Sequence, residues 1–263
     1  MKKISLVIFL IFFASGLIII TCLDSSSAQE AAANTPGALF YQANIYYQEG
    51  KFDAAIKGYE KLLGLGLESG NLYYNLGNSY FKKGELGLAV LNYERAKFFI
   101  SNDSDLKSNY DYALQRLNLE PKFTGNWFEK AVYGLLQAMT VDSLTIILFV
   151  IYIFLIIIFV MNLFLSGLRR VSGGISCVLI AVFILFAFAL GRKLDYLNKI
   201  AIVINKEADV KFEPLENATT YFKLSEGSKV EVVEKAESWY KVRRFDNKLG
   251  WVSKDALRKI ADY

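Results

Sequence analysis

"YNLGNSYFKKGELGLAVLNYERA" (residues 74–96) follows a near-copy of itself, "FYQANIYYQEGKFDAAIKGYEKL" (residues 40–62), at an offset of 34 residues. The offset superposes Asn44 on Asn78, Tyr46 on Tyr80, Gly50 on Gly84, Ala55 on Ala89, Tyr59 on Tyr93 and Glu60 on Glu94. Each copy has apolar and aromatic residues at three-and-four spacing, then a glycine, then a second run of helical period. This pattern predicts a helix-turn-helix solenoid unit. The units expected are residues 36–69 and 70–103. Gly50 and Gly84 end their first helices, where a left-handed residue is needed. Ala55 and Ala89 let the second helix approach the first, and Tyr59 and Tyr93 fill the space beside them.

These residues resemble the tetratricopeptide repeat, most clearly in the second unit, where Leu76-Gly77, Tyr80, Gly84, Ala89, Tyr93 and Ala96 fall on that family's pattern. A further helix over residues 104–118 is expected to cap the stack, so that the repeat region covers residues 36–118. The resemblance implies a concave wall made by the first helix of each unit. The partner-binding positions it assigns are Phe40, Asn44, Tyr47 and Gln48, then Tyr74, Asn78, Phe81 and Lys82, then Tyr112 and Arg116. Repeated Asn side chains among aromatic residues suit an extended peptide held by its backbone amides; the plainer alternative is that they cover the inner helices.

Working outward, the chain is 54% hydrophobic, more than an ordinary soluble protein carries. Three apolar runs account for the excess. The first, behind Lys2 and Lys3, ends in "TCLDSSSAQE" and reads as an export signal over residues 1–28, cut after Ala28. An uncleaved anchor and a lipidated Cys22 are the alternatives. The second and third, residues 144–165 and 171–190, are each long enough to cross a bilayer of ~30 Å. With only "SGLRR" between them they predict a transmembrane hairpin, and export of the segment after Ala28 would leave Arg169 and Arg170 on the cytoplasmic side. Gly173, Cys177 and Ala181 recur every four residues and are expected to pack the hairpin. Ahead of it, residues 121–142 place Trp127, Phe128, Val132, Leu135, Leu136 and Met139 at helical spacing, an amphipathic stripe suited to the membrane interface or to packing on the repeats.

After Lys199 the text changes to short β-branched and aromatic runs separated by Gly, Asn, Asp and Pro, about five strands forming a small barrel over residues 200–260. "YFKLSEGSKVEVV", "WYKV" and "GWV" resemble the bacterial SH3-like (SH3b) domain. Val230, Val232, Val242 and Val252 alternate into its core, Gly227 makes a turn and Gly250 permits close approach. Trp239, Tyr240 and Trp251 are the groove candidates, with plugging of the barrel as the alternative for the tryptophans.

The fold class is therefore mainly α: a tetratricopeptide solenoid, a two-helix transmembrane hairpin and a C-terminal SH3-like β-barrel. With no histidine, imidazole bases, Ser-His-Asp systems and histidine metal sites are absent. The two cysteines both fall in apolar segments. Pairs such as Glu85 with Glu94, or Asp103 with Asp105, read as solvated surface and helix capping. No catalytic residue, cofactor or metal is expected, and the modest +4 charge without a basic block gives no nucleic-acid footprint. The whole-chain order resembles the BatE-like aerotolerance proteins. That resemblance implies a scaffold in the bacterial cytoplasmic (inner) membrane with both soluble parts in the periplasm. Its partners would be von Willebrand-type Bat membrane proteins and a MoxR-type ATPase system, in oxidative-stress tolerance or envelope maintenance. The alternative is an envelope sensor that binds peptidoglycan or peptide through the SH3-like domain.

Overall fold

A computed structural model describes residues 35–119, 139–164, 167 and 169–261. The expected signal segment, and the amphipathic segment up to residue 138, lie outside the described residues. The chain forms two compact units, one ending at Leu67 and one beginning at Glu68.

The first unit holds α1 (Pro36–Gln48) and α2 (Phe52–Gly64). Thr35 caps α1 through its hydroxyl, which accepts from the Ala38 N–H at 3.3 Å, and Pro36 occupies the first turn, where no amide donor is needed. Gly50 is left-handed (φ 74°), as its place after α1 requires. Tyr59 and Ala55 are completely buried between the helices. A Cβ on Gly58 would stand 2.9 Å from the Ala43 Cβ, so the α2 backbone packs directly on the Ala43 methyl there.

The second unit opens with α3 (Gly70–Lys83), α4 (Leu86–Phe99) and α5 (Ser104–Arg116). Ser69 and Asp103 cap α3 and α5, accepting from the Leu72 and Leu106 amides at 3.1 and 2.8 Å. Gly84 ends α3 at φ 85°. A Cβ on Gly77 would meet the Tyr93 ring at 2.7 Å, so here the close approach is made against an aromatic ring. Leu106, Tyr110, Ala113 and Leu114 are the buried face of α5, and apart from exposed Tyr112 its remaining surface is polar, as a capping helix requires.

α6 (Val141–Phe164) and α7 (Arg169–Lys199) are both long and apolar enough to cross a membrane. They run antiparallel. The Ser172 hydroxyl bonds the Asn162 carboxamide oxygen at 2.6 Å near the turn, and Lys193 donates to the Met139 carbonyl at the open end. The second helix outruns the expected span, and one expectation is corrected. α7 continues nine residues past the apolar run, because residues 191–199 contain no proline and carry an Asp195–Lys199 pair at 2.9 Å along one helix face. And Gly173, Cys177 and Ala181 are exposed, with no neighbour near a Cβ on Gly173. The hydrogen-bonded Ser172, not the small stripe, marks the face turned to α6.

α7 passes directly into an antiparallel sheet of seven strands: β1 (Ile200–Val203), β2 (Glu207–Lys211), β3 (Thr220–Ser225), β4 (Lys229–Lys235), β5 (Trp239–Arg243), β6 (Leu249–Ser253) and β7 (Leu257–Lys259), in the order β3-β2-β6-β5-β4-β1-β7. Seven strands form where about five are expected, β1 and β2 being separated by a turn near Asn205. Shifts of register at Val210/Lys211 and Val232/Glu234 bend the sheet around one core. Val230, Val232, Val242 and Val252 all lie in that core, with Val203, Val210 and Leu224. Gly227 is left-handed (φ 75°), and a Cβ on Gly250 would meet Val210 at 2.4 Å.

Candidate functional site

The repeat-wall positions are all half-buried or exposed. In the first unit the Asn44 Oδ1 accepts from the Tyr59 hydroxyl at 2.6 Å, and Phe40 packs on Tyr59 with ring centres 5.9 Å apart. Tyr47 packs on Phe52 at 5.7 Å and Gln48 is exposed. In the second unit the same device recurs: the Asn78 Oδ1 accepts from the Tyr93 hydroxyl at 2.8 Å. It accepts again from the Asn109 amide at 3.0 Å, and Asn109 also donates to the Tyr74 hydroxyl at 2.8 Å. Phe81 and Tyr112 pack with centres 5.5 Å apart. Tyr74, Asn78, Phe81 and Tyr112 thus come together across α3 and α5, with Lys82 and Arg116 exposed on the same two helices. The repeated Asn is first of all a polar clasp between the two helices of a repeat. Its carbonyl oxygen is engaged internally, which directs any peptide contact to the exposed residues around it. Asn109, which sequence reasoning passed over, joins α5 to that clasp.

The outer side of α4 carries a second arrangement. Glu94, expected on the solvated surface, is only 2% exposed. Its carboxylate lies 2.6 Å from the Lys229 ammonium on β4 and 3.6 Å from that of Lys97. Burial alone would raise the Glu94 carboxyl, but Lys229 and then Lys97 overcome it and hold it at about 2. The same pairing lifts Lys229 well above the ordinary lysine range against its own burial. Burial, reinforced by the Glu94 charge, pushes the Tyr110 hydroxyl well up. Two further ties flank the pair. The Glu226 carboxylate accepts from the Gly87 N–H at 2.8 Å and pairs with Lys206 at 2.9 Å. Arg95 donates to the Ile260 and Lys259 carbonyls at 3.0 and 3.1 Å. The surfaces fit closely, since a Cβ on Gly87 would stand 2.7 Å from the Val203 carbonyl and one on Gly227 would stand 2.5 Å from Leu117. The barrel is therefore seated on the second repeat.

Beside this clamp lies a cleft of ≈ 620 Å³ between α5, the end of α7 and the barrel, lined among others by Tyr110, Leu114, Tyr196, Lys229, Arg243 and Phe245.

The three barrel candidates do not share a face. β5 alternates, so Tyr240 and Val242 turn toward the core, where Tyr240 packs against it, while Trp239 turns the other way. On β6, Trp251 is opposite Lys241 in register and one residue from core Val252, so it joins the Trp239 side. Trp239 is 8% exposed with the Lys211 ammonium 5.4 Å from its ring; Trp251 is half-buried, with Lys241 at 5.4 Å. Neither tryptophan plugs the barrel. Parity relative to Val242 and Val252 carried this information in the sequence. Among the described residues no cluster of His, Cys, Asp or Glu could hold a metal ion.

Two family models match parts of the chain. A TPR repeat model matches residues 43–84, from within α1 to the end of α3, and a Bacterial SH3 domain model matches residues 206–258. The second match begins after β1, so the strand that joins the barrel to α7 stands outside it. No curated protein matches the chain.

Proposed function

We propose that this chain is a non-catalytic, membrane-anchored scaffold whose tetratricopeptide repeats and SH3-like domain bind protein partners on the periplasmic side of the bacterial cytoplasmic membrane, within a Bat-type aerotolerance or envelope-stress complex. Von Willebrand-type membrane proteins and a MoxR-type ATPase system are the candidate companions. The observation that carries the reading is the clamp on α4. A buried Glu94–Lys229 pair at 2.6 Å holds the second repeat and the barrel as one body at the open end of the α6–α7 hairpin. Such a body belongs to one side of a membrane. Arg169 and Arg170 at the closed end favour the cytoplasm, which leaves the body outside. The outer side of α4 is already occupied, so the free binding surface is the α3–α5 side around Tyr74, Phe81, Lys82, Tyr112 and Arg116.

The test is affinity purification from native membranes of the full chain and of a triple variant, Lys82→Glu, Tyr112→Ala and Arg116→Glu. These side chains are exposed or nearly so, and the variant is expected to keep its melting temperature and lose its partners. Recovery of every wild-type partner would exclude the α3–α5 surface. Protease added to intact spheroplasts checks orientation: cleavage both before residue 140 and after residue 200 is expected.

A second reading, an envelope sensor binding peptidoglycan or peptide, is favoured by half-buried Trp251 on the outer sheet face with Lys241 over its ring. Pull-down of the detergent-solubilised full chain with purified sacculi tests it, with Trp251→Ala expected to abolish retention.

A further inference from the structure

The barrel carries an exposed aromatic and cationic patch that the clamp does not use. α7 enters β1 at Ile200 without a linker, and the pairs Ile200↔Glu231, Glu231↔Arg243 and Arg243↔Leu249 form one row across β1, β4, β5 and β6. That row marks the end of the sheet at which the helix arrives. The β5–β6 turn, residues 244–248, continues beyond the row, and Arg244, Phe245 and Asn247 line the same cleft as Tyr196 on α7. Tyr196 is three residues, ~4.5 Å of helix rise, past Lys193. The Lys193 ammonium bonds the Met139 carbonyl at the open end of the hairpin. The turn therefore lies near the point where the chain leaves its apolar segments.

The turn is locally well fixed. Asn247 takes the left-handed conformation (φ 64°), the Arg244 N–H donates to the Lys248 carbonyl at 3.0 Å, and the Asp246 carboxylate accepts from the Arg244 guanidinium at 2.9 Å. Phe245 at its tip is 57% exposed, Phe212 58% and Leu249 44%. The Phe212 and Tyr221 rings pack at 4.5 Å, tilted by 33°, and the Lys248 ammonium lies 5.9 Å from the Tyr221 ring. Residues 243–248 hold three cations and one carboxylate.

We infer that this patch is a second membrane contact, in which Phe245, Phe212 and Tyr221 rest at the headgroup–acyl boundary and Arg244 and Lys248 face lipid phosphates. Aromatic rings beside Lys and Arg are what the membrane interface stabilises, whereas in water a contiguous apolar patch is unfavourable. The contact is continuous with the hairpin that tethers it, so the local lipid concentration is high and weak individual contacts suffice. The inference rests on the reading of α6 and α7 as membrane spans. Its consequence is orientation: hairpin and patch together would hold the clamped repeat at a fixed angle to the bilayer.

Single cysteines placed in the full chain, after Cys22→Ser and Cys177→Ser, test this. An environment-sensitive fluorophore is attached at Phe245→Cys or Lys248→Cys, at Ser238→Cys at the opposite end of the sheet, and at Phe154→Cys within α6. Each protein is reconstituted in vesicles of phosphatidylcholine and phosphatidylglycerol in equal parts, with or without brominated acyl chains. Strong quenching is expected at 154, and quenching at 245 and 248 about two-fold or more above that at 238. Quenching at 154 with 245 and 248 matching 238 overturns the lipid contact and leaves the spans standing. Protection of 245 from aqueous iodide without quenching by lipid shows a protein cover, and overturns it too. An unquenched 154 would overturn both readings.

Discussion

Helices α2 and α4 are the second helices of two repeats written from one pattern, and their inner sides behave alike. Ala55 and Ala89 are fully buried, and the Tyr59 and Tyr93 hydroxyls each donate to an Asn carboxamide. Their outer sides are opposites. Asp53, Lys57, Glu60 and Lys61 of α2 are exposed, whereas at the same four positions α4 has Gly87, Leu91, Glu94 and Arg95, of which the first three are buried. Glu60 and Glu94 are the same residue at the same place in the repeat, yet one is exposed and the other is buried against Lys229. Repeat identity fixes what a helix does toward its own partner, and the other side is free to be rewritten for a different neighbour.

Removing the cation beside Glu94 should have the largest effect. Lys229→Ala leaves a buried carboxylate with Lys97 at 3.6 Å as its remaining cation and the Tyr110 hydroxyl as a neutral partner, and a destabilisation of about 3 kcal/mol is expected for the second unit, against under about 0.5 kcal/mol for Glu60→Ala. Thermal unfolding of the detergent-solubilised chain measures both. The Glu94 carboxyl is held at about 2, below its ordinary 4.5. A depressed carboxylate contributes stability that is complete above the unfolded value and lost as pH falls through the folded one. Acid destabilisation between about pH 4.5 and 2 is thus expected in the parent, and a flatter acid limb in Glu94→Gln, which carries no titrating group there.

A smaller effect should follow from the flanking tie. Glu226→Ala leaves the Gly87 amide, enclosed by Val203, without its acceptor at 2.8 Å, at a cost of about 1–3 kcal/mol. In the first unit the corresponding position is held by Asp53, which is exposed. Hydrogen exchange would distinguish the two: faster exchange at Gly87 in Glu226→Ala, with Asp53 unaltered. Equal exchange at Gly87 in parent and variant would mean that the barrel does not close over α4.

Much of this was legible beforehand, and what was missed has a physical cause. The 34-residue echo carries the helix pairs, their left-handed glycines and the buried Ala and Tyr, because all of these answer to local geometry that the repeat itself supplies. The apolar runs carry the two long helices for the same reason: length and hydropathy are local properties of the sequence, and both suffice to cross a membrane. The Glu94–Lys229 pair joins residues 135 positions apart, and no local pattern encodes it. A trace existed in the replacement of Asp53 and Lys57 by Gly87 and Leu91, which strips charge from one side of α4 and asks what covers it. Residue type alone leaves the choice between groove and plug open for the tryptophans; strand parity, counted from Val242 and Val252, puts both on the face opposite the valine core.

The finest test sets two left-handed glycines against each other. Gly50 and Gly227 have almost the same backbone, φ 74° and 75°, so alanine strains both by about 1 kcal/mol through the backbone alone. Around Gly50 nothing lies within 4 Å of the added Cβ, whereas at Gly227 it would stand 2.5 Å from Leu117 and 3.2 Å from Leu119. Gly50→Ala should therefore show the backbone term only. Gly227→Ala should add a further ~1 kcal/mol or more as Leu117 is displaced from the barrel surface. Trimming the obstruction should return it: Leu117→Ala loses packing by itself, but in that background Gly227→Ala is expected to cost no more than Gly50→Ala, a coupling readable from a double-mutant cycle of melting temperatures. Independent, additive costs would mean that Gly227 is a turn residue alone, and that the seating of the barrel on the repeat owes nothing to it.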